Sequence, residues 1–336
     1  MSGLLPSAEH LTTEWDTLCD TVPWATAITL AEMSTLAYST PHNRELVLRL
    51  LGFDRIRLLD DGPRSGLVAM AEDAAIVAFR GTDDLEDWFA NFDFREQTPL
   101  SDGRTVHRGF QAYYNVFADE VKRVLADWAP NRLWVTGHSL GGAMAACCAV
   151  DLVDSDIPFS GIVTFGQPRI GNDVLARRLD FATSGRYMRF VNEDDAVPLA
   201  PPGLLWNYWH CGSRIRFRDE QLDRRQGLAV FSCSAPAGED APEGELQPVS
   251  PDGEDSLSEE ELREIKGYLK VRKQSGLDEE RPTEVEGTAD GSAGQPMACS
   301  AAAPGLVDRV VHFLEKRIND HSMTEYLRRL NEFSAE

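Results

Sequence analysis

Basic charge is scarce in this sequence. Lys and Arg number 33 against 55 Asp and Glu, a formal net charge of −22 over 336 residues. No basic run exceeds two or three residues, so the chain is expected to repel nucleic acid and anionic membrane surfaces. Long hydrophobic runs are missing too. No stretch approaches the roughly 18 apolar residues of a spanning helix, which excludes stable membrane insertion by that route. The segment Met1 to His10 has neither a basic start nor an apolar run, which argues against a secretory signal. Cysteine is present without pattern: Cys19, Cys147, Cys148, Cys211, Cys233 and Cys299 show no metal-ligand spacing and no disulfide framework. They read as reduced thiols in a cytoplasmic protein. Internal repeats are absent.

What remains is enough for a globular protein. The apolar fraction of 42% excludes disorder throughout, and the length allows one large domain or two small ones. Charge is unevenly spread. The 63 residues from Ser234 to Pro296 carry 17 acidic and 6 basic side chains, half of the total net charge. This stretch is also rich in Pro, Gly and Ser, so it has too little apolar area to offset its ordering entropy. The expected organisation is a domain whose first part spans 1–232, an acidic, mostly disordered insert over 233–296, and a C-terminal part over 297–336. Within the insert, Ser258 to Lys273 reads as a short helix with Ser258 and Glu261 as its cap and Leu262, Ile265 and Leu269 on one face. The insert is either a solvated spacer or the docking segment for an unidentified partner.

Elsewhere strand and helix signals alternate. Helical periodicity covers Thr26 to Tyr38, Arg108 to Trp128, Gly141 to Leu152, Val174 to Leu179, Leu306 to Arg317 and Ser322 to Leu330. Gly66 to Ala71 and Ala74 to Arg80 form an expected hairpin turning at Glu72 and Asp73. Arg132 to Thr136, Gly161 to Phe165 and Arg186 to Val191 are expected strands. Strands separated by helices predict an α/β fold, with a mostly parallel central sheet flanked by helices and an antiparallel start.

One motif carries chemistry. Gly137-His138-Ser139-Leu140-Gly141 stands between the apolar strand Leu133-Trp134-Val135 and an Ala-rich helix, the context of a nucleophile elbow. Gly137 and Gly141 let strand and helix pack closely around a serine on a tight turn, and the helix N-terminus favours negative charge beside it. Further blocks follow in order around it. They are Phe79-Arg80-Gly81-Thr82, Val106-His107-Arg108-Gly109-Phe110 and Thr164-Phe165-Gly166-Gln167-Pro168-Arg169-Ile170-Gly171. Beyond them come Asn192-Glu193-Asp194-Asp195-Ala196-Val197-Pro198, Tyr208-Trp209-His210-Cys211-Gly212, and Asp320-His321-Ser322-Met323 with Tyr326. Together the set resembles the class 3, fungal-type lipases of the α/β hydrolase superfamily, over about residues 65–232 and 305–330.

A nucleophilic Ser139 needs a base, and the base an acid that holds its tautomer. In an α/β hydrolase the acid and then the histidine follow the serine in sequence. Three histidines qualify. His210 lies close behind the acid strand, His312 sits in an apolar helical stretch, and His321 stands in a polar turn where a loop histidine can swing toward the elbow. The acid is Asp194 or Asp195, both just past an expected strand. The resemblance implies His321 as base and, by the N-x-x-D-x-V-P pattern, Asp195 as acid. It also implies an oxyanion hole from the N–H of Leu140 and from Thr82. Leu85, Trp88, Phe89 and Phe92 share one face of an expected helix, which is either a lid over the site or a helix packed on the core. Leu199 is a candidate acyl-groove residue by position. The implied activity is hydrolysis of carboxylic esters of acylglycerols or other lipids, triacylglycerol lipase-like. It requires neither metal nor organic cofactor, and any contact with a lipid interface is transient. A phospholipase A1 or a short-chain carboxylesterase would use the same residues. A non-catalytic regulatory protein is the alternative from another class.

Overall fold

A computed structural model describes residues 7–12, 22–82, 96–192, 195–201, 203–218, 221–225 and 321–334. The chain divides into two units, Met1–Ser256 with Arg317–Glu336, and Leu257–Lys316; every described residue belongs to the first. The expected insert at 233–296, its junctions and the helix expected over 306–317 lie outside the described residues.

The elements, in chain order, are α1 (Trp24–Leu36), α2 (Pro41–Leu50), β1 (Arg55–Asp61), β2 (Arg64–Ala71), β3 (Ala74–Phe79), β4 (Gln97–Pro99), β5 (Thr105–His107) and α3 (Arg108–Trp128). There follow β6 (Arg132–His138), α4 (Leu140–Asp154), β7 (Gly161–Phe165), α5 (Asp173–Thr183), β8 (Tyr187–Asn192), α6 (Gly203–Trp206), β9 (Ser213–Arg218), β10 (Gln221–Arg225) and α7 (Met323–Ser334). Eight strands form the main sheet in the order β1-β2-β3-β6-β7-β8-β9-β10, while β4 and β5 pair separately. The four central pairings, from β3 to β9, are parallel. The β1-β2-β3 start and the β9-β10 end are antiparallel. This is the α/β hydrolase arrangement expected from the sequence.

Strands β3, β6, β7 and β8 are buried almost without interruption. That is the signature of parallel strands covered on both faces. Alternate side chains feed two cores. Val77, Val135 and Ile162 face α3, α4 and α5, where Phe117, Val121, Ala145 and Leu179 meet them. Ile76, Trp134, Val163 and Phe190 face α1 and α7, with Leu30, Met33, Tyr326 and Leu330. The result is three layers. Helix α3 begins where His107 caps it, its Nδ1 accepting from the N–H of Gly109 at 3.0 Å, and stops at Ala129 in the left-handed region. Among the described helices none is long and apolar enough to cross a membrane.

The crossing of β6 and α4 explains the glycines of the elbow. A Cβ on Gly141 would lie 2.2 Å from the Phe79 carbonyl oxygen, and one on Gly137 would lie 2.1 Å from the Gly141 carbonyl oxygen. With any side chain there, α4 could not start against β3. The carboxyl ends of β3, β6, β7 and β8 therefore converge on one rim, which is where sites form in such sheets.

Candidate active site

Ser139 ends β6 and begins α4 with φ 59° and ψ −128°, a conformation that a non-glycine residue rarely adopts. Its cost is of order 1–3 kcal/mol. The turn is held because Ser139 N donates to Phe165 O at 3.0 Å, while Ser139 O accepts from Gly142 N at 2.9 Å. The side chain is buried, and Ser139 Oγ has no hydrogen-bond partner.

Asp195 follows β8. Its N–H donates to Asn192 O at 2.8 Å, and its Oδ1 accepts from Val197 N at 2.9 Å. Its Oδ2 faces His321 Nδ1 at 2.7 Å and accepts from the Tyr326 hydroxyl at 2.7 Å. A carboxylate only accepts, so His321 carries its proton on Nδ1, and Nε2 of the neutral ring holds a bare lone pair. His321 is fully buried, and its Nε2 has no partner. The structure thus joins a carboxylate to an imidazole 126 residues away and leaves the far nitrogen free. It also leaves a serine hydroxyl unpartnered at the elbow. Close approach requires Gly166, at the end of β7 with φ +56°. A Cβ there would lie 2.4 Å from His321 Cε1 and 2.8 Å from Asp195 Oδ2.

Tyr326, five residues past His321, received no role from sequence. Its hydroxyl also accepts from Asn192 N at 2.9 Å, tying α7 to β8 behind the Asp195–His321 pair. Burial, reinforced by the Asp195 charge, pushes its ionisation well above the usual phenol range, so it stays a donor. The segment after Asp195 is clamped as well. His210 Nε2 donates to Pro198 O at 2.8 Å, Arg169 N donates to Ala200 O at 2.8 Å, and Arg169 Nη1 donates to Pro201 O at 3.1 Å. His210 is therefore occupied in holding the acid loop. No periodicity could have revealed these contacts.

Leu140 is the first residue of α4. Thr82 is half-buried beyond β3, next to Gly81, where a Cβ would lie 3.2 Å from Ser139 Cβ. The oxyanion-loop candidate and the elbow are thus neighbours. Leu199 is half-buried in the turn after Asp195. Leu85, Trp88, Phe89, Phe92, Asp194 and His312 lie outside the described residues. Among the described residues no group of three or more His, Cys, Asp and Glu is placed to hold a metal ion.

Residues 76–204 match the class 3 lipase family. A secreted mono- and diacylglycerol lipase of Fusarium solani is 37% identical over 173 residues, 48% of this chain and 51% of that protein. A secreted mono- and diacylglycerol lipase of Penicillium cyclopium is 34% identical over 133 residues, 38% of this chain and 43% of that protein. The chain thus spans about half the length of the relatives it matches. Among solved structures, a triacylglycerol lipase described as having a serine protease triad at its catalytic centre superposes with a TM-score of 0.51 at 26% identity. That superposition covers 62% of this chain and 87% of the other.

These relatives correct one expectation. Both are secreted by name, against the cytoplasmic location read from unpatterned cysteines. The reason lies in packing. Cys147, Cys148 and Cys211 are free and buried, and burial raises all three thiols, that of Cys148 to about 12. Such cysteines act as small hydrophobic side chains and carry no record of redox compartment. Over residues 76–204, the segment that carries the serine elbow between β6 and α4, this chain is similar to the class 3 lipase family.

Proposed function

We propose that the chain is a serine-dependent carboxylic ester hydrolase acting on acylglycerols or similar lipid esters. The observation that carries this reading is the Asp195–His321 pair at 2.7 Å with Nε2 bare, beside an elbow serine whose hydroxyl is also unpartnered. His321 Nε2 takes the proton of Ser139 as Oγ attacks the ester carbonyl. Asp195 holds the ring orientation and stabilises the imidazolium. The N–H of Leu140 and Thr82 bind the oxyanion, which forms where the N-terminus of α4 favours negative charge. His321 then protonates the leaving alcohol, and a water activated in the same way releases the acyl group. Leu85, Trp88, Phe89, Phe92 and Leu199 are assigned to the acyl-binding side of this site. The relatives' names, mono- and diacylglycerol lipase, favour neutral glycerides as substrates, and a surface of net charge −22 favours a neutral over an anionic interface.

The test is hydrolysis of p-nitrophenyl esters of graded chain length, of glycerides and of phospholipid, by wild type and Ser139→Ala. Wild type should hydrolyse the esters and glycerides and take up a fluorophosphonate label. Ser139→Ala should lose about 10⁴-fold or more in kcat and all labelling. Hydrolysis by Ser139→Ala at the wild-type rate would remove Ser139 as nucleophile.

A further inference from the structure

Two polar side chains beside the site have no part in that scheme. His138, the residue before the nucleophile, is buried; its Nδ1 lies 2.9 Å from the Tyr38 hydroxyl and its Nε2 lies 2.7 Å from the main-chain oxygen of His321. A carbonyl oxygen only accepts, so Nε2 carries the proton. Burial, and next the neighbouring His321, hold His138 well below the ordinary imidazole range, so the ring is neutral and Nδ1 is bare. The Tyr38 hydroxyl must then donate to Nδ1. The direction of both hydrogen bonds is fixed by chemistry, from Tyr38 through His138 to the backbone of His321.

Three further contacts converge on this line. The rings of His138 and His321 lie 4.4 Å apart at 31°. A Cβ on Gly81 would lie 2.2 Å from the Tyr38 hydroxyl oxygen and 2.6 Å from the His138 carbonyl oxygen. The guanidinium of Arg80 lies over the Tyr38 ring, 5.7 Å from its centre. Tyr38, just past α1, therefore abuts the Gly81-Thr82 loop and the elbow at once. The bond from Asp195 to Nδ1 fixes one point of the His321 ring. Holding the His321 main chain as well fixes where Nε2 must lie.

We propose that Tyr38 and His138 are positioning residues, which set the place of the His321 base and of the Gly81-Thr82 loop relative to Ser139 through the main chain of His321. The proposal rests on the reading of Ser139 and His321 as nucleophile and base. A role of this kind acts on turnover and leaves ester binding nearly unchanged, because neither residue is among those assigned to acyl binding.

The test measures kcat and KM with p-nitrophenyl butyrate, together with thermal melting, for His138→Phe, His138→Gln and Tyr38→Phe. His138→Phe should lose about 100-fold in kcat, the effect of a catalytic group misplaced by about 1 Å, with KM within about twofold. His138→Gln keeps an N–H for the His321 carbonyl and should recover about tenfold of that loss. Tyr38→Phe should lose about three- to tenfold in kcat, the kinetic equivalent of one neutral hydrogen bond. A folded His138→Phe with wild-type kcat, or His138→Gln no better than His138→Phe, overturns the proposal. If neither His138 variant folds, an unchanged kcat in Tyr38→Phe overturns it. Wild-type hydrolysis by Ser139→Ala would instead bring down the reading of the site itself, so the two failures are distinguishable.

Discussion

Gly166 is the residue at which backbone freedom and chemistry meet. Its φ of +56° is open to glycine at little cost, and its missing Cβ leaves room for the Asp195–His321 contact. Gly166→Ala therefore carries two penalties, left-handed strain of about 1–2 kcal/mol and displacement of the His321 ring. Gly62 separates them. Its φ is +57°, and a Cβ there meets nothing within 4 Å. Gly62→Ala should lower the denaturation free energy by about 1 kcal/mol and leave kcat unchanged. Gly166→Ala should lower kcat by about 100-fold in addition. Equal kcat in the two variants would show that the close contact at residue 166 does not govern the placement of His321.

Among the elements, legibility in the sequence follows burial. Helix α3 is found over the range that its apolar spacing predicts, because Phe110, Tyr114, Phe117, Val121, Val124 and Leu125 are all buried on one side. The β2-β3 hairpin turns at the predicted Glu72-Asp73, and β7 spans the predicted Gly161 to Phe165. Five strands (β1, β4, β5, β9 and β10) and two helices (α2 and α6) escaped the sequence reading. Strand β1 lies at the sheet edge with only Leu59 buried, α2 buries only Arg44 and Leu48, and β9 with β10 closes the opposite edge. Elements that cover little of the core carry little hydrophobic pattern. The elbow was legible because its turn demands glycine at fixed offsets. The contacts of Tyr38, Tyr326, Arg169 and His210 were not, since side-chain-to-carbonyl and tyrosine–carboxylate bonds between distant segments have no period. The long segment between β10 and α7 belongs to this scale too. Its stretch from Ser234 to Pro296, with 17 acidic and 6 basic side chains, is expected to be a passenger between two core elements, and lengthening a loop adds only about 0.6 kcal/mol per doubling. Excision of residues 236–295 should leave kcat within about twofold and melting within a few degrees, read by p-nitrophenyl ester hydrolysis and calorimetry. Loss of folding would make that segment part of the core.

For the whole molecule, two imidazoles held neutral, the buried His138 and the half-buried His210, link stability to pH. His138 is held below its ordinary range by burial and then by His321, and His210 by burial and then by Arg189, Arg169 and Arg214. In the unfolded chain both take up protons near pH 6.5, while in the folded protein they do not. The unfolded state therefore binds more protons in acid. Their stabilising contribution is complete above about pH 6.5 and is lost as pH falls below it, by about 1 kcal/mol per histidine for each unit. The net charge of −22 acts in the opposite sense, because protonating surface carboxylates relieves self-repulsion. The overall slope mixes the two, whereas a difference between variants isolates the histidine. His210→Gln retains a donor for Pro198 O and removes one titrating group. Between pH 6 and pH 5, in urea denaturation, its stability should fall by about 1 kcal/mol less than that of the wild type. Identical slopes would mean that His210 takes up its proton in the folded state as readily as in the unfolded one, with Arg169, Arg189 and Arg214 exerting no effect on it.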